Sequence, residues 1–344
     1  MSPEQFIRGL PKTELHMHLE GSMEPETIFE LAERNGITLR WSSPEQMQAA
    51  YEFEGLAPFL DLYFEACSVL RTRRDFTDAA RAYFRRAKED GVVHAEMFFG
   101  PQTFLDNGTP VAEMMEGVLD ALDEVSGPDF SAGLLVSVHR HRTEDQAFDV
   151  LRAVEPWLPQ ISGIGMGGVE LGNPPSKFAR FFKACQAAGI PTMVHAGEEA
   201  PSAYVREAID LLPVVRIDHG VAAAQDPELL AVLAERGIPL TVCPLSNLRL
   251  KVVATLADHP LPTLLRAGVK VTVNSDDPPY FGGWVTENLL ACHEQMGLSG
   301  TDIIQIVRNG LEAALVTAPV RSVMLDRLDA YVATHGATIK ALQA

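Results

Sequence analysis

A chain of 344 residues with 47% hydrophobic and 22% charged side chains has an ordinary globular balance, with ample core for one barrel or two modest domains. Its net charge of −18 repels phosphate backbones and argues against nucleic acid as a partner. Its longest apolar runs, such as Ala132-Gly133-Leu134-Leu135-Val136, are too short to span a bilayer, so no membrane partner is expected. Residues 1–10 lack the basic start and apolar stretch of a secretory signal. The four cysteines (Cys67, Cys185, Cys243, Cys292) are scattered without a C-x-x-C pair. A reduced, cytoplasmic protein is the expectation.

Eight short β-rich runs alternate with longer amphipathic stretches. The first, 13–18, ends in His16-Met17-His18. Strand side chains alternate, so both imidazoles point one way and Met17 points away. Residues 25–74 follow and are too long for one helix; Phe53, Leu56, Phe59, Leu60, Leu62 and Tyr63 cluster there, as outer core, pocket lid or both. A helical pattern over 76–89 carries Ala79, Ala80, Tyr83, Phe84 and Ala87 on one face. Strands are then expected at 92–99, 132–138, 163–170, 191–195, 214–219, 239–243 and 269–274, several almost continuously apolar, as parallel strands covered on both sides are. Gly189, Gly237 and Gly268 read as helix C-caps turning into strands, and 227–236 as a helix presenting Leu229, Leu230, Val232 and Leu233. The stretches 286–296 and 301–344 read as closing helices. The pattern predicts an α/β fold, a (β/α)₈ TIM barrel spanning 1–344 as one domain, with a helical insertion after the first strand and extra C-terminal helices. A doubly wound sheet is the alternative, but no G-x-G-x-x-G turn marks a dinucleotide site.

Chemistry in such a barrel sits at the C-terminal strand ends. Those ends read His16-Met17-His18, His195-Ala196-Gly197-Glu198, Asp218-His219-Gly220 and Asn274-Ser275-Asp276-Asp277-Pro278. Taken singly, each has a structural explanation: Asp218-His219-Gly220 can be a turn, and the run from Ser275 to Pro278 can cap a helix. Four buried strands ending in His, Glu and Asp at one rim need a further reason, because such groups are costly to bury unpaired. One metal ion supplies it, with His16, His18 and His195 giving nitrogen, Asp276 oxygen, and a position left for water. Three nitrogens and a carboxylate suit zinc, though iron, cobalt or manganese also fit. Glu198, three residues past His195, is a candidate proton carrier; His219 is placed to orient or deprotonate water, and Asp277 to accept a hydrogen bond from substrate. His94, His259, His293 and His335 fall inside elements or far from strand ends. His139-Arg140-His141 is the competing pair, disfavoured by its arginines.

With these residues in place, the chain resembles the adenosine/adenine deaminase family of the amidohydrolase superfamily. The resemblance is carried by His16 to Ser22, His195 to Glu198, Arg216 to Gly220, Cys243-Pro244-Leu245-Ser246-Asn247 and Asn274 to Pro278. It implies a barrel with one zinc ion that hydrolytically removes the 6-amino group of a purine. The implied ligands are His16, His18, His195 and Asp276. Glu198 would protonate N1 as activated water attacks C6, His219 would assist the water, and Asp277 would hydrogen-bond near N7. The H-x-E…P-C-x-x-C signature of nucleic-acid deaminases is absent.

Three features resemble the adenine branch. Glu20 stands where adenosine deaminases typically carry an Asp that holds the ribose 5′-hydroxyl. Glu170-Leu171-Gly172-Asn173-Pro174-Pro175 resembles that branch after strand four, as do Leu245 to Val252 and Pro279 to Gly283. Glu20 and Glu170 are therefore added as substrate-binding candidates. Met166-Gly167-Gly168-Val169 departs from the polar run expected there. The resemblance implies conversion of adenine to hypoxanthine, with adenosine, N6-substituted adenine or a larger adenine-containing metabolite as alternatives and the oligomeric state open. A binuclear amidohydrolase would need a carboxylated lysine at the end of strand four; none is present, although Glu170 could bridge. A purine-binding barrel without turnover would not need Glu198.

Overall fold

The computed structural model describes residues 1–53 and 55–335. Eight parallel strands are present: β1 (Lys12–His18), β2 (Val92–Phe99), β3 (Ser131–His139), β4 (Gly163–Gly167), β5 (Met193–Ala196), β6 (Arg216–His219), β7 (Leu240–Val242) and β8 (Val271–Val273). They pair in sequence order as two four-stranded half-barrels, β1-β2-β3-β4 and β5-β6-β7-β8. Single bridges at Met17↔Asp276 and Ile164↔Thr192 join the halves, giving the TIM barrel the sequence pattern predicts.

The interior follows the two-residue period of the strands. On β4 the inward positions are Gly163, Gly165 and Gly167. A Cβ at Gly165 would lie 2.4 Å from the Phe98 ring, so the missing side chains make room for large ones opposite. Phe98, Leu135 and Met193, all fully buried, form this inner plug. The other side of the interior is polar. Arg216 donates to Glu96 at 2.6 Å and to the Leu15 carbonyl at 3.0 Å. Burial alone would raise the Glu96 carboxyl, but Arg216 and His94 hold it down at about 2.

Strands β4 and β6 to β8 are shorter than the sequence runs suggest. On β4 the chain leaves the sheet at Gly168 (φ +92), so Glu170 lies beyond the strand rather than at its end. On β8, side chains take over from the ladder: Asn274 Oδ1 accepts the Leu15 N–H at 2.9 Å. The backbone of Asp276 then exchanges hydrogen bonds with His16 and His18 at 3.0 and 3.1 Å.

The segment after β1 forms the helices Pro25–Asn35, Pro44–Ala49 and Leu56–Cys67. The last serves both anticipated purposes. Leu62 is buried in the outer core, while Phe59 packs edge-on against Tyr280 and tilted against Phe281 and lines the central cavity with Leu60 and Tyr63. The expected closing helix divides into Gly300–Ala313 and Ala318–Thr334; the remainder of that expectation, 336–344, lies outside the described residues. Among the described residues no helix is long and apolar enough to cross a membrane.

Candidate active site

The ends of β1, β5, β6 and β8 converge at the carboxyl rim. His16 Nε2 lies 3.0 Å from His195 Nε2, which is 3.3 Å from His18 Nε2. Asp276 Oδ1 stands 3.5 Å from His18 Nε2 and 3.8 Å from His16 Nε2. Phe98 packs beneath them, stacked on His18 with ring centroids 5.2 Å apart.

The groups behind the rings set their tautomers. Thr241 donates its hydroxyl to Asp218 at 2.8 Å, so its oxygen and its carbonyl are both acceptors for His16 Nδ1, at 3.0 and 3.1 Å. His195 Nδ1 lies 3.3 Å from Asp218 Oδ2. Thr241 draws the His16 proton to Nδ1, and the Asp218 carboxylate, close to His195 Nδ1 without a hydrogen bond to it, favours the same tautomer there, which turns both Nε2 lone pairs toward each other. Two such lone pairs at 3.0 Å repel unless a cation stands between them. Their spacing matches the edge of about 3.3 Å expected between nitrogens around a tetrahedral ion with bonds near 2.0 Å. Burial keeps the imidazoles neutral, His16 and His195 well below their ordinary range and His18 at about 4, which is the form that binds metal. The donor set fits a metal ion such as zinc. The Cys243 sulphur is also close to His16 and Asp276, but burial and the Asp276 charge push its thiol well up, and a protonated thiol is a poor ligand.

Two rim residues hold left-handed backbone without being glycine: His219 (φ 61) and Asp276 (φ 64). Each such residue costs on the order of 1–3 kcal/mol and persists where the surroundings enforce it. Here the neighbouring strands do so, through Gly220 N–H to the Ala196 carbonyl at 3.1 Å and Asp276 N–H to the His16 carbonyl at 3.0 Å. The strained turn swings His219 Nε2 to 3.5 Å from Glu198 Oε2 and 3.9 Å from Asp276 Oδ2. Burial, together with Asp276 and the neighbouring carboxylates, raises the Glu198 carboxyl well above its usual range; burial and Asp276 do the same to Asp277. Asp277 leans on Gly21, where a Cβ would lie 1.5 Å from its Oδ1.

Glu20 lines the cavity, which measures about 720 Å³ with its mouth. Its Oε1 accepts the Gly100 N–H at 2.7 Å, its Oε2 is buried without a partner, and burial raises the carboxyl to about 7. Glu170 is the exception among the anticipated substrate-binding residues. It is absent from the cavity wall, and its carboxylate is occupied by backbone N–H groups of the loop after β5. The expectation that it touches substrate is corrected on this ground: the chain turns out at Gly168 and carries Glu170 behind the loop. The turn also leaves Gly167 and Gly168 as cavity wall. His139 and His141 line the cavity as well, their rings stacked 5.2 Å apart.

Sequence reasoning passed over Asp218, Thr241, Phe98 and Arg140. The signal for Asp218 was present: counting by twos from Arg216 places it inside the barrel. Thr241 and Phe98 carry no such mark, because their partners come from other strands.

A family model described as adenosine deaminase matches residues 11–331. An adenine deaminase of Rhodopseudomonas palustris is 60% identical over 333 residues, covering 96% of this chain and 97% of that protein. One from Caulobacter vibrioides is 48% identical over 332 residues, covering 96% of each. Among solved structures, an adenine deaminase from Arthrobacter aurescens superposes with a TM-score of 0.92 at 42% identity, covering 94% of this chain and 99% of that one. An amidohydrolase from Burkholderia ambifaria with bound zinc gives 0.88 at 28% identity, covering 97% and 94%. With a shared barrel, near-complete coverage and a rim built of the same residue types the motifs lead one to expect, the chain belongs to the adenosine deaminase family.

Proposed function

We propose that the chain hydrolyses adenine to hypoxanthine and ammonia, using one zinc ion held by His16, His18, His195 and Asp276. The observation that carries this reading is Glu198, whose carboxyl stands 3.5 Å from His219 Nε2 beside the converging histidines and is raised well above its ordinary range by burial. A site that only bound a purine would have no use for a proton donor there. Relatives named adenine deaminase at 60% and 48% identity support the same chemistry.

When bound, the ion supplies the Lewis acidity that makes a water molecule nucleophilic at neutral pH. The chain moves the protons. Glu198 gives its proton to N1 as the water oxygen bonds to C6. His219 takes the first proton released by the water and passes it on. The amino group receives it as the C6–N bond breaks, and ammonia leaves. The remaining hydroxyl proton restores Glu198, and hypoxanthine keeps the proton on N1. Asp277, raised well above its ordinary range by burial and Asp276, would donate to N7 rather than accept from substrate as its place in the sequence suggests.

Glu20, buried and lining the cavity, would favour the free base by filling space that a ribose would otherwise occupy. A binuclear arrangement finds no support: the inward positions of β4 are glycines, and Glu170 is engaged with backbone N–H groups. The test is ammonia release from adenine, adenosine and N6-methyladenine, with metal content measured alongside. Adenine should be turned over fastest, with about one metal ion per chain. Failure of the zinc-loaded protein on every 6-aminopurine would sink the reading. Glu20→Asp should shift preference toward adenosine. Gly167 and Gly168 make N6-substituted adenines a necessary arm of the panel.

A further inference from the structure

The proton movements above leave Glu170 without a role, yet it is almost fully buried and unusually engaged. One of its oxygens accepts the N–H of Gly197 at 2.6 Å; the other accepts those of Glu198, Glu199 and Ala200 at 3.1, 2.8 and 3.0 Å. Four consecutive peptide groups thus point at one carboxylate. Arg140, also fully buried, braces the segments on either side of this loop, the end of β5 and the turn after β4. It donates to the His195 carbonyl and to the Asn173 carbonyl, and lies 3.8 Å from Glu170. The loop has little freedom of its own to adopt this shape. Gly197 is left-handed (φ +72), and a Cβ there would lie 2.4 Å from Val205 Cγ2. The following helix, Ser202–Leu211, has no side-chain cap at its N-terminus.

We infer that Glu170 is a positioning residue for Glu198. It binds the N–H groups on both sides of the Glu198 Cα, those of Glu198 itself and of Glu199. The two peptide planes that set the direction of the Glu198 side chain are therefore anchored to one buried carboxylate. β5 can aim His195 directly, because that residue is within the strand. Glu198 lies three residues beyond, after a left-handed turn, and needs an external anchor to return its carboxyl to the cavity. The anchor has to be an acceptor only. An amide at position 170 would turn its own N–H₂ toward peptide N–H donors. Glu170 is also unsuited to bind a second cation, since Arg140 and four N–H donors already surround it. This inference rests on the reading of Glu198 as the proton donor.

The test compares wild type, Glu170→Gln and Glu170→Asp as metal-loaded full-length protein. Kinetics on adenine, metal content and amide hydrogen exchange over 197–200 are measured on each. Glu170→Gln should lower kcat roughly 10²-fold with KM within about threefold, since only the proton donor is displaced. Metal content should be unchanged, and exchange should accelerate at 197–200 alone. Glu170→Asp keeps an acceptor-only carboxylate and should recover about tenfold of the loss. If Glu170→Gln does not fold, Glu170→Asp must itself show faster exchange confined to the loop and a fall in kcat at unchanged KM. Turnover of either variant within about threefold of wild type, or exchange as slow as wild type, overturns the inference. So does loss of metal in step with kcat, which would mark a general structural role. If wild type turns over no 6-aminopurine, the role of Glu198 fails, and loop exchange still reports separately whether Glu170 anchors the segment.

Discussion

The chain carries two His-x-His pairs at strand ends, and only one gathers the further donors that a metal site needs. His16 and His18 on β1 meet Asp276 across the half-barrel seam and His195 across the interior, with Thr241 and Asp218 behind. His139 ends β3 and His141 lies in the turn after it; their rings stack on each other, with His139 near Thr103 and Phe64. Among the described residues no carboxylate oxygen lies within 4.0 Å of their ring nitrogens. The residue between the second pair, Arg140, points away to the backbone carbonyls of His195 in β5 and Asn173 after β4. The motif is the same; the strands facing it differ. A His-x-His pair supplies half a coordination sphere, and the fold decides whether the other half arrives.

The largest effect should separate the pairs directly. His16→Ala or His18→Ala should abolish metal retention and lower kcat/KM by roughly 10⁴-fold or more. His139→Ala and His141→Ala should keep the full metal content and change kcat/KM by about tenfold at most. Metal analysis with steady-state kinetics decides it, and loss of metal in the β3 variants would break the comparison. Glu198→Gln should leave metal content intact while lowering kcat by about 10²–10⁴-fold, and unchanged activity would refute the proton path.

The next effect sharpens what backs each pair. Asp218→Asn removes the carboxylate beside His195 Nδ1 and should weaken metal affinity by about 10–100-fold, measured by competition with a chelator. Chelation should also lower the melting temperature of wild type and of the β3 variants, equivalent to a loss of about 3–4 kcal/mol at saturating metal, and leave His16→Ala almost unmoved.

The smallest effect concerns acid. Burial holds His139 at about 3, below its ordinary 6.5, so the unfolded chain takes up the proton first. The contribution of His139 to stability is complete above pH 6.5 and is lost as pH falls toward 3. After discounting for partial exposure, metal-free His139→Asn should retain about 1–2 kcal/mol more of its neutral-pH stability than wild type at low pH, read from denaturant melts.

Much of this site was legible from residue types at strand ends. Buried strands rarely finish in His, Glu or Asp without cause, and period-two alternation shows which of those residues share a face. Glu170 illustrates the limit. Read along the sequence, it extends a strand and so joins the rim. In the structure the backbone turns out at Gly168, and the acid meets four N–H groups some thirty residues further along the chain. Strand lengths were overestimated for a related reason. On β8 the ladder gives way to the Asn274 side chain, a substitution with no mark in hydrophobicity.

By itself the sequence determined the barrel, through eight apolar runs at crossover spacing, and the identity of the rim residues, because local period and residue chemistry suffice for both. Only the tertiary structure decided which His-x-His pair gains a carboxylate partner, which groups stand behind His16 and His195, and that Glu170 binds a loop rather than lining the cavity. Each of those depends on contacts between strands far apart in the chain. Such contacts are set by how β1 closes against β8 and β4 against β5, and no local pattern encodes that closure.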